Sequence, residues 1–256
     1  VKSPPRRPIV LAHGLAGFSR FAVRRLKVAT YFRGIPEHLQ SEGCEVIVTD
    51  VPPLGSVAKR AACLRDAIRA KAGRASVHVI AHSMGGLDAR HMISRLGMDE
   101  QVLTLVTLGT PHRGSPVADR IFGIAKKLRV LDALERSGFE HAALADLRTE
   151  VCAAWGEKTP DSPDVRYCSI AGVKPRREML YSLRFTHDVI DAVEGENDGL
   201  VSRRSAAWGE VLPAWDCDHL NLVNWIGPHT KALGYARDVR PRYTRLARLC
   251  AEVEGR

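Results

Sequence analysis

Apolar residues along this chain follow two rhythms. Short, nearly continuous runs occur at 9–12, 46–49, 77–81, 102–108 and 167–171. Between them lie stretches with helical spacing, at about 34–42, at 60–72, where Ala61, Leu64, Ala67 and Ile68 share one side, and at 87–96. An exposed strand alternates apolar and polar residues; an uninterrupted apolar strand is covered on both faces. Strands of that kind separated by helices predict an α/β fold with a mostly parallel central sheet and helices on both faces.

The rhythm changes at about 115–163, where no strand pattern appears. Val117, Ile121, Ile124, Ala125, Leu128 and Leu131 recur at helical spacing, with Lys126, Lys127 and Arg129 interrupting the other side. A second helix is expected over 140–155. This reads as a helical insertion on the sheet scaffold, within a single domain spanning 1–256. A last helix is expected at about 239–253, with Pro241 tolerated in its first turn.

Composition narrows the class. A chain of 256 residues, 45% hydrophobic and 26% charged, has the makeup of a globular enzyme. The formal net charge of +9 raises nucleic acid as a partner, but the basic residues are dispersed and no reader motif accompanies them, so no nucleic-acid role is expected. The six cysteines include no Cys-x-x-Cys pair, which removes the structural zinc pattern. Cys63, Cys168 and Cys250 fall on apolar faces as small hydrophobes, and one disulfide of unassigned pairing is compatible with the spacing. No apolar run is long enough for a transmembrane helix. The first residues, Val-Lys-Ser-Pro-Pro-Arg-Arg-Pro, lack the apolar core of a signal peptide; both a processed secreted form and a cytoplasmic protein fit this.

The strongest chemical signal is Val77-His78-Val79-Ile80-Ala81-His82-Ser83-Met84-Gly85-Gly86-Leu87. An apolar strand runs straight into a serine, and a helix starts at once. This is the nucleophile elbow: the turn is so sharp that the residues two before and two after the serine must be small. Ala81 replaces the usual first glycine, adding one methyl. Ser83 is therefore the expected nucleophile. Met84 N–H, at the helix start, is one expected donor to an oxyanion. The first strand ends in Leu11-Ala12-His13-Gly14-Leu15, and Leu15 N–H is the second expected donor.

A serine nucleophile needs a base, and the base an orienting carboxylate; in this architecture they follow in the order nucleophile, acid, histidine. Asp198, in Glu196-Asn197-Asp198-Gly199-Leu200, is the expected acid, with Asp191, Glu196, Asp216 and Asp218 as competitors. His219, in Asp216-Cys217-Asp218-His219-Leu220, is the expected base, with His187 and His229 as weaker alternatives. Both segments are expected at strand ends. His112 reads as structural, and His82, though next to the serine, points the wrong way in such a turn.

Taken together, residues 8–18, Tyr31-Phe32-Arg33-Gly34-Ile35-Pro36, 81–87, 109–115, 197–202 and 218–224 resemble bacterial triacylglycerol lipases of the Pseudomonas and Burkholderia type. The likeness extends from Pro8 to about Trp225. It implies the α/β-hydrolase fold, the triad Ser83, Asp198 and His219, the donors Leu15 and Met84, and a lid in the insertion after Ser115. Val117, Ile121, Ile124 and Leu128 would then cover an acyl pocket or meet a lipid surface; an ordinary core-packing helix is the alternative.

Two departures follow. Asn221 and Trp225 stand where those lipases carry calcium ligands, so neither calcium nor any other cofactor is expected. Arg203 or Arg204 stands where some relatives carry a cysteine, so their disulfide is expected to be missing. The expected function is hydrolysis of fatty-acyl esters, acylglycerols above all, with lipid or small ester substrates met at an oil–water interface. A short-chain esterase, thioesterase or polyester hydrolase remains open, as does, more remotely, a non-catalytic binding protein on the hydrolase scaffold.

Overall fold

The computed structural model describes residues 3–15, 31–128 and 142–254. Ala16 to Phe18 of the oxyanion segment, and Arg129, Leu131 and Glu140 of the insertion, lie outside the described residues. The expected runs form strands β1 (Ile9–Ala12), β2 (Val46–Val48), β3 (Val77–His82), β4 (Val102–Leu108) and β5 (Arg166–Ile170). With the two-residue β7 (Glu210–Val211) they make one sheet in the order β2-β1-β3-β4-β5-β7, parallel throughout. The strands β6 (Gly172–Val173) and β8 (Trp215–Asp216) pair apart, also in parallel. At two residues each, β6, β7 and β8 are too short for a hydrophobic period, and sequence reading passes over them.

Alternate residues of each strand feed opposite cores. Ile9, Leu11, Ile80, Val106 and Leu108 pack with Phe32, Ile35 and Leu39 at helix α1 (Ile35–Ser41) and with Tyr243 and Leu246 of the last helix, α10 (Arg240–Ala251). Val10, Ala12, Val79, Ala81 and Leu105 pack on the other face with Ala61, Leu64 and Ile68 of α2 (Val57–Ala72) and Ala89, Met92 and Ile93 of α3 (Met84–Arg95). The α2 helix is longer than its apolar spacing indicates because Ser56 caps it, accepting from Lys59 N–H, and Gly73 ends it. The α10 helix is shorter than the expected 239–253.

The chain passes from β1 outward to β2 and then returns to β3 on the other side of β1. Such a reversal opens a crevice at the carboxyl ends of the two strands, where α/β sheets bind ligands. Gly14 and Leu15 follow β1 there, and Ser83 follows β3.

The described residues of the 115–163 stretch include three helices. Helix α4 (Pro116–Lys127) is capped by Ser115. The expected helix over 140–155 is broken in two, α5 (Ala142–Asp146) and α6 (Thr149–Glu157). The break lets Leu147 C=O accept from Ser115 N–H, and Thr149 donate its N–H and hydroxyl to Asp119, so the insertion is tied to its own stem. Among the described residues the remaining α-helices are α7 (Arg184–Glu194), α8 (Arg203–Ala206) and α9 (Pro228–Ala232). All six cysteines are free thiols, so the disulfide that the spacing allowed is not formed. Cys168 and Cys250 are buried as expected, whereas Cys63 is half-buried. Among the described residues no helix is long and apolar enough to cross a membrane.

Candidate active site

Ser83 adopts φ 56°, ψ −133°, a positive-φ conformation outside the left-handed helical well that costs a non-glycine residue about 1–3 kcal/mol. It precedes α3 at the N-cap, yet its hydroxyl does not cap the helix. Instead Oγ lies 3.0 Å from His219 Nε2. The small residues of the elbow are explained by contact: a Cβ on Gly85 would sit 2.7 Å from the carbonyl oxygens of both Ala12 and His13.

His219 Nδ1 lies 2.8 Å from Asp198 Oδ2. The other carboxylate oxygen accepts the Leu200 and Val201 N–H groups at 2.9 and 2.8 Å, and His219 N–H donates to the Asp198 carbonyl at 2.8 Å. Both side chains are almost fully buried. An Asp at that hydrogen-bonded position fixes the imidazole: Nδ1 carries the proton, and the Nε2 lone pair faces the serine.

Asp198 is not at a strand end, contrary to expectation. It sits in a loop after α7, closed by a bridge between Asn197 and Ser202. His219 does follow a strand, but the short, separate β8. Between the sheet and this pair lies Gly109, at φ 53°, where a Cβ would come 2.8 Å from Asp198 Oδ2 and 3.3 Å from His219 Nδ1. Neither sequence motif names Gly109; the contact exists in space alone.

The competing acids and bases are engaged elsewhere. Glu196 pairs with Arg203, Asp216 with Lys174, and Asp218 accepts from the Leu180 and Asn221 N–H groups. Asp191 is exposed on α7, His187 lies beside Asp188, and His229 stacks on Tyr181. His112 is structural, as expected: it contacts Thr107 and stacks on Trp208, and burial, then Arg90 and Arg113, hold its pKa well below the usual histidine range.

The Gly14–Leu15 loop is held by buried groups. Arg60, fully buried, donates from Nη2 to the His13 and Gly14 carbonyls at 2.8 and 3.2 Å, from Nη1 to Pro52 O and from Nε to Asp88. Burial pushes the Asp88 carboxyl up to about 7, against the pull of Arg60. Val51 N–H donates to His13 Nε2, so His13 Nδ1 carries the proton that meets Gly14 O at 2.9 Å. Gly14 N–H donates to Tyr31 Oη at 3.0 Å. Sequence reading misses Arg60, because a buried arginine on a helix looks like any surface arginine until its partners are placed.

Above the serine opens a cavity of about 440 Å³, with walls that include Leu15, Val117, Ala118, Ile121, Leu144, Leu147, Leu200, Leu220, Val223 and Trp225. Of the α4 residues singled out from sequence, Val117 and Ile121 reach this cavity. Ile124 and Leu128 are 53% and 67% exposed and do not line it.

The expected calcium replacements do not fit a cation. The Asn221 side chain bridges the Arg237 main chain, its Nδ2 donating to the carbonyl and its Oδ1 accepting the N–H. The Trp225 side chain carries no oxygen, and its indole N–H donates to Tyr31 O. Among the described residues no group of three or more His, Cys, Asp or Glu side chains is arranged to hold a metal ion.

A parallel doubly wound sheet with a Ser–His–Asp chain at its switch point defines an α/β hydrolase. The family model for the alpha/beta hydrolase fold matches residues 7–133. Triacylglycerol lipase 2 of Saccharomyces cerevisiae is 32% identical over 87% of this chain and 81% of its own length. A triacylglycerol lipase of Burkholderia plantarii is 36% identical over 86% of this chain and 79% of its own. In fold, Staphylococcus hyicus lipase superposes with a TM-score of 0.74 at 18% identity, covering 100% of this chain and 99% of that one. The chain belongs to the triacylglycerol-lipase family of α/β hydrolases, an ester hydrolase class.

Proposed function

We propose that this enzyme hydrolyses carboxylic esters of fatty acids, acylglycerols foremost, through Ser83, His219 and Asp198. The observation that carries the reading is the hydrogen-bonded chain Ser83–His219–Asp198 at the floor of an apolar cavity of about 440 Å³. That volume lies within the range of about 300–1,000 Å³ typical of small-ligand sites, and the lining suits a hydrocarbon chain.

In the first step Ser83 Oγ attacks the ester carbonyl carbon while its proton passes to His219 Nε2. Asp198 keeps the imidazole in the Nδ1–H tautomer and stabilises the charged ring. The carbonyl oxygen becomes an oxyanion and is met by two main-chain donors. Met84 N–H is the first of α3, where helix geometry supplies no internal acceptor. Leu15 N–H is the second: in a trans peptide it points opposite the Gly14 carbonyl, which Arg60 and His13 hold on the far side. The C–O bond to the alcohol then breaks, His219 returns its proton to the leaving oxygen, and an acyl-Ser83 remains. Water, deprotonated by His219, attacks the acyl carbon; the bond from that carbon to Ser83 Oγ breaks, His219 returns the proton to Oγ, and the acid leaves. Each proton has a place on protein or water, so the scheme calls for no cofactor.

The insertion serves as a lid within a single-domain chain. Its α4 forms one wall of the cavity through Val117 and Ile121 and continues outward in Ile124 and Leu128, an apolar ledge suited to an oil–water interface. Hydrolysis of p-nitrophenyl esters from two to sixteen carbons by wild type and Ser83→Ala tests the reading. Activity rising toward long chains and lost in Ser83→Ala is expected. A profile confined to the shortest esters makes the enzyme a short-chain esterase, and equal rates in both proteins remove Ser83 as the nucleophile.

A further inference from the structure

The residue before the nucleophile, His82, ends β3 with no exposed surface. Its Nε2 lies 3.0 Å from the main-chain carbonyl of His219, and its Nδ1 lies 2.7 Å from Tyr31 Oη. A carbonyl can only accept, so Nε2 carries the proton. In the neutral ring Nδ1 then accepts, and the Tyr31 hydroxyl donates to it. The same phenolic oxygen accepts Gly14 N–H at 3.0 Å. Every donor and acceptor is matched in one direction, from Gly14 N–H through Tyr31 and His82 to the His219 carbonyl. We infer that Tyr31 and His82 are positioning residues that tie the Gly14–Leu15 loop to the main chain of His219, holding oxyanion donor and base in register with Ser83. This rests on the roles proposed above for Leu15 and His219.

Three observations support it. First, the link joins segments that no other contact described for the site joins directly: the loop after β1 and the turn after β8 meet through the residue beside the nucleophile. Second, both side chains are locked. Tyr31 packs edge-on to Phe32 with ring centroids 5.2 Å apart, and the His82 and His219 rings lie 4.6 Å apart. Third, His82 is held neutral. Burial, then the neighbouring His219 and His13, press its pKa well below the usual range, while its hydrogen bond to the His219 carbonyl pulls the other way. The groups facing it are Tyr31, His219 and His13, and burial raises the Tyr31 phenol pKa well above its usual value. A neutral His82 adds no charge beside His219 when that ring becomes an imidazolium.

Tyr31→Phe removes one oxygen and keeps the ring. His82→Gln retains a donor near the position of Nε2 but has no acceptor at Nδ1; His82→Ala loses both. The readouts are kcat and KM on dissolved p-nitrophenyl butyrate, the Kd of an alkyl boronic acid that mimics the tetrahedral adduct, and the melting temperature. The expected result for Tyr31→Phe is a fall in kcat of about 10- to 100-fold with KM within about twofold, and an equal loss of boronate affinity. His82→Gln is expected to retain more kcat than His82→Ala, and Tyr31→Phe combined with His82→Gln to lose little more than the worse single variant, because one chain is broken twice. A folded Tyr31→Phe with kcat within twofold of wild type overturns the inference. So does a raised KM at unchanged kcat, which makes Tyr31 a substrate contact, and so do losses that simply multiply in the double variant. Ser83→Ala, assayed alongside, separates the two readings: if it stays active the triad assignment falls, and if it is dead while Tyr31→Phe is normal the positioning link alone falls.

Discussion

Substituting Gly109 by alanine tests the acid–base pair without touching either member of it. The added Cβ would lie 2.8 Å from Asp198 Oδ2 and 3.3 Å from His219 Nδ1, whereas ordinary contacts start near 3.4 Å. The carboxylate must therefore retreat by roughly half an ångström, about the tolerance within which a catalytic constellation still works. The retreat lengthens the 2.8 Å bond that sets the histidine tautomer. Misplacement on the scale of 1 Å costs about 100-fold in rate, and loss of a correctly oriented triad Asp costs about 10⁴-fold. We expect kcat on a dissolved ester to fall about 10²- to 10⁴-fold.

Gly109 also sits at φ 53°, so an alanine there costs about 1–2 kcal/mol of backbone strain. For a chain of this size that lowers Tm by about 2–8 °C, leaving a folded protein to assay. Ser83 lies on the other side of His219, so covalent labelling of Ser83 by a fluorophosphonate should slow in parallel with turnover. A folded Gly109→Ala protein with kcat within threefold of wild type would refute the argument: either Asp198 does not orient His219 during turnover, or the site accommodates the methyl group freely.

His112 supplies a pH test. Its pKa is depressed, so the unfolded chain takes up that proton first; its contribution to stability is present above about pH 6.5 and is lost as pH falls through that value toward the folded pKa. His112→Phe should flatten the dependence of unfolding free energy on pH by up to about 1.4 kcal/mol per unit below pH 6.5, with the buried carboxylates cancelling between the two proteins; identical slopes would mean that the native ring takes up its proton over the same pH range as in the unfolded chain. Replacing both Ile124 and Leu128 by serine should change stability by no more than about 1 kcal/mol, since both are exposed, and should lower the ratio of activity on emulsified triolein to activity on dissolved butyrate at least fivefold. An unchanged ratio rules out the ledge as an interfacial contact. Dialysis against EDTA, followed by added calcium, should leave Tm and rate unaltered; a calcium-dependent rise in Tm of more than about 5 °C would show that other oxygen ligands replace those absent at Asn221 and Trp225.

The sequence by itself determined the sheet, its parallel character and the elbow. These are local properties: an apolar strand, a small-residue turn and a helix start are contiguous at 77–87, so their physics is written in adjacent letters. It also narrowed the acid and base to short turn-rich segments through the order of chemistry along the chain. The tertiary structure decided what proximity alone can decide. It brought Asp198 to His219 from a loop rather than a strand end and singled out Gly109 beneath them. It broke the expected helix over 140–155 so that Leu147 and Thr149 could bind the stem of the insertion. It turned Arg60 from a surface cation into the clamp of the His13 and Gly14 carbonyls, and made His82 a link between His219 and Tyr31. These contacts join partners 21 to 137 positions apart in the chain, and no period or motif within a single segment encodes such a distance.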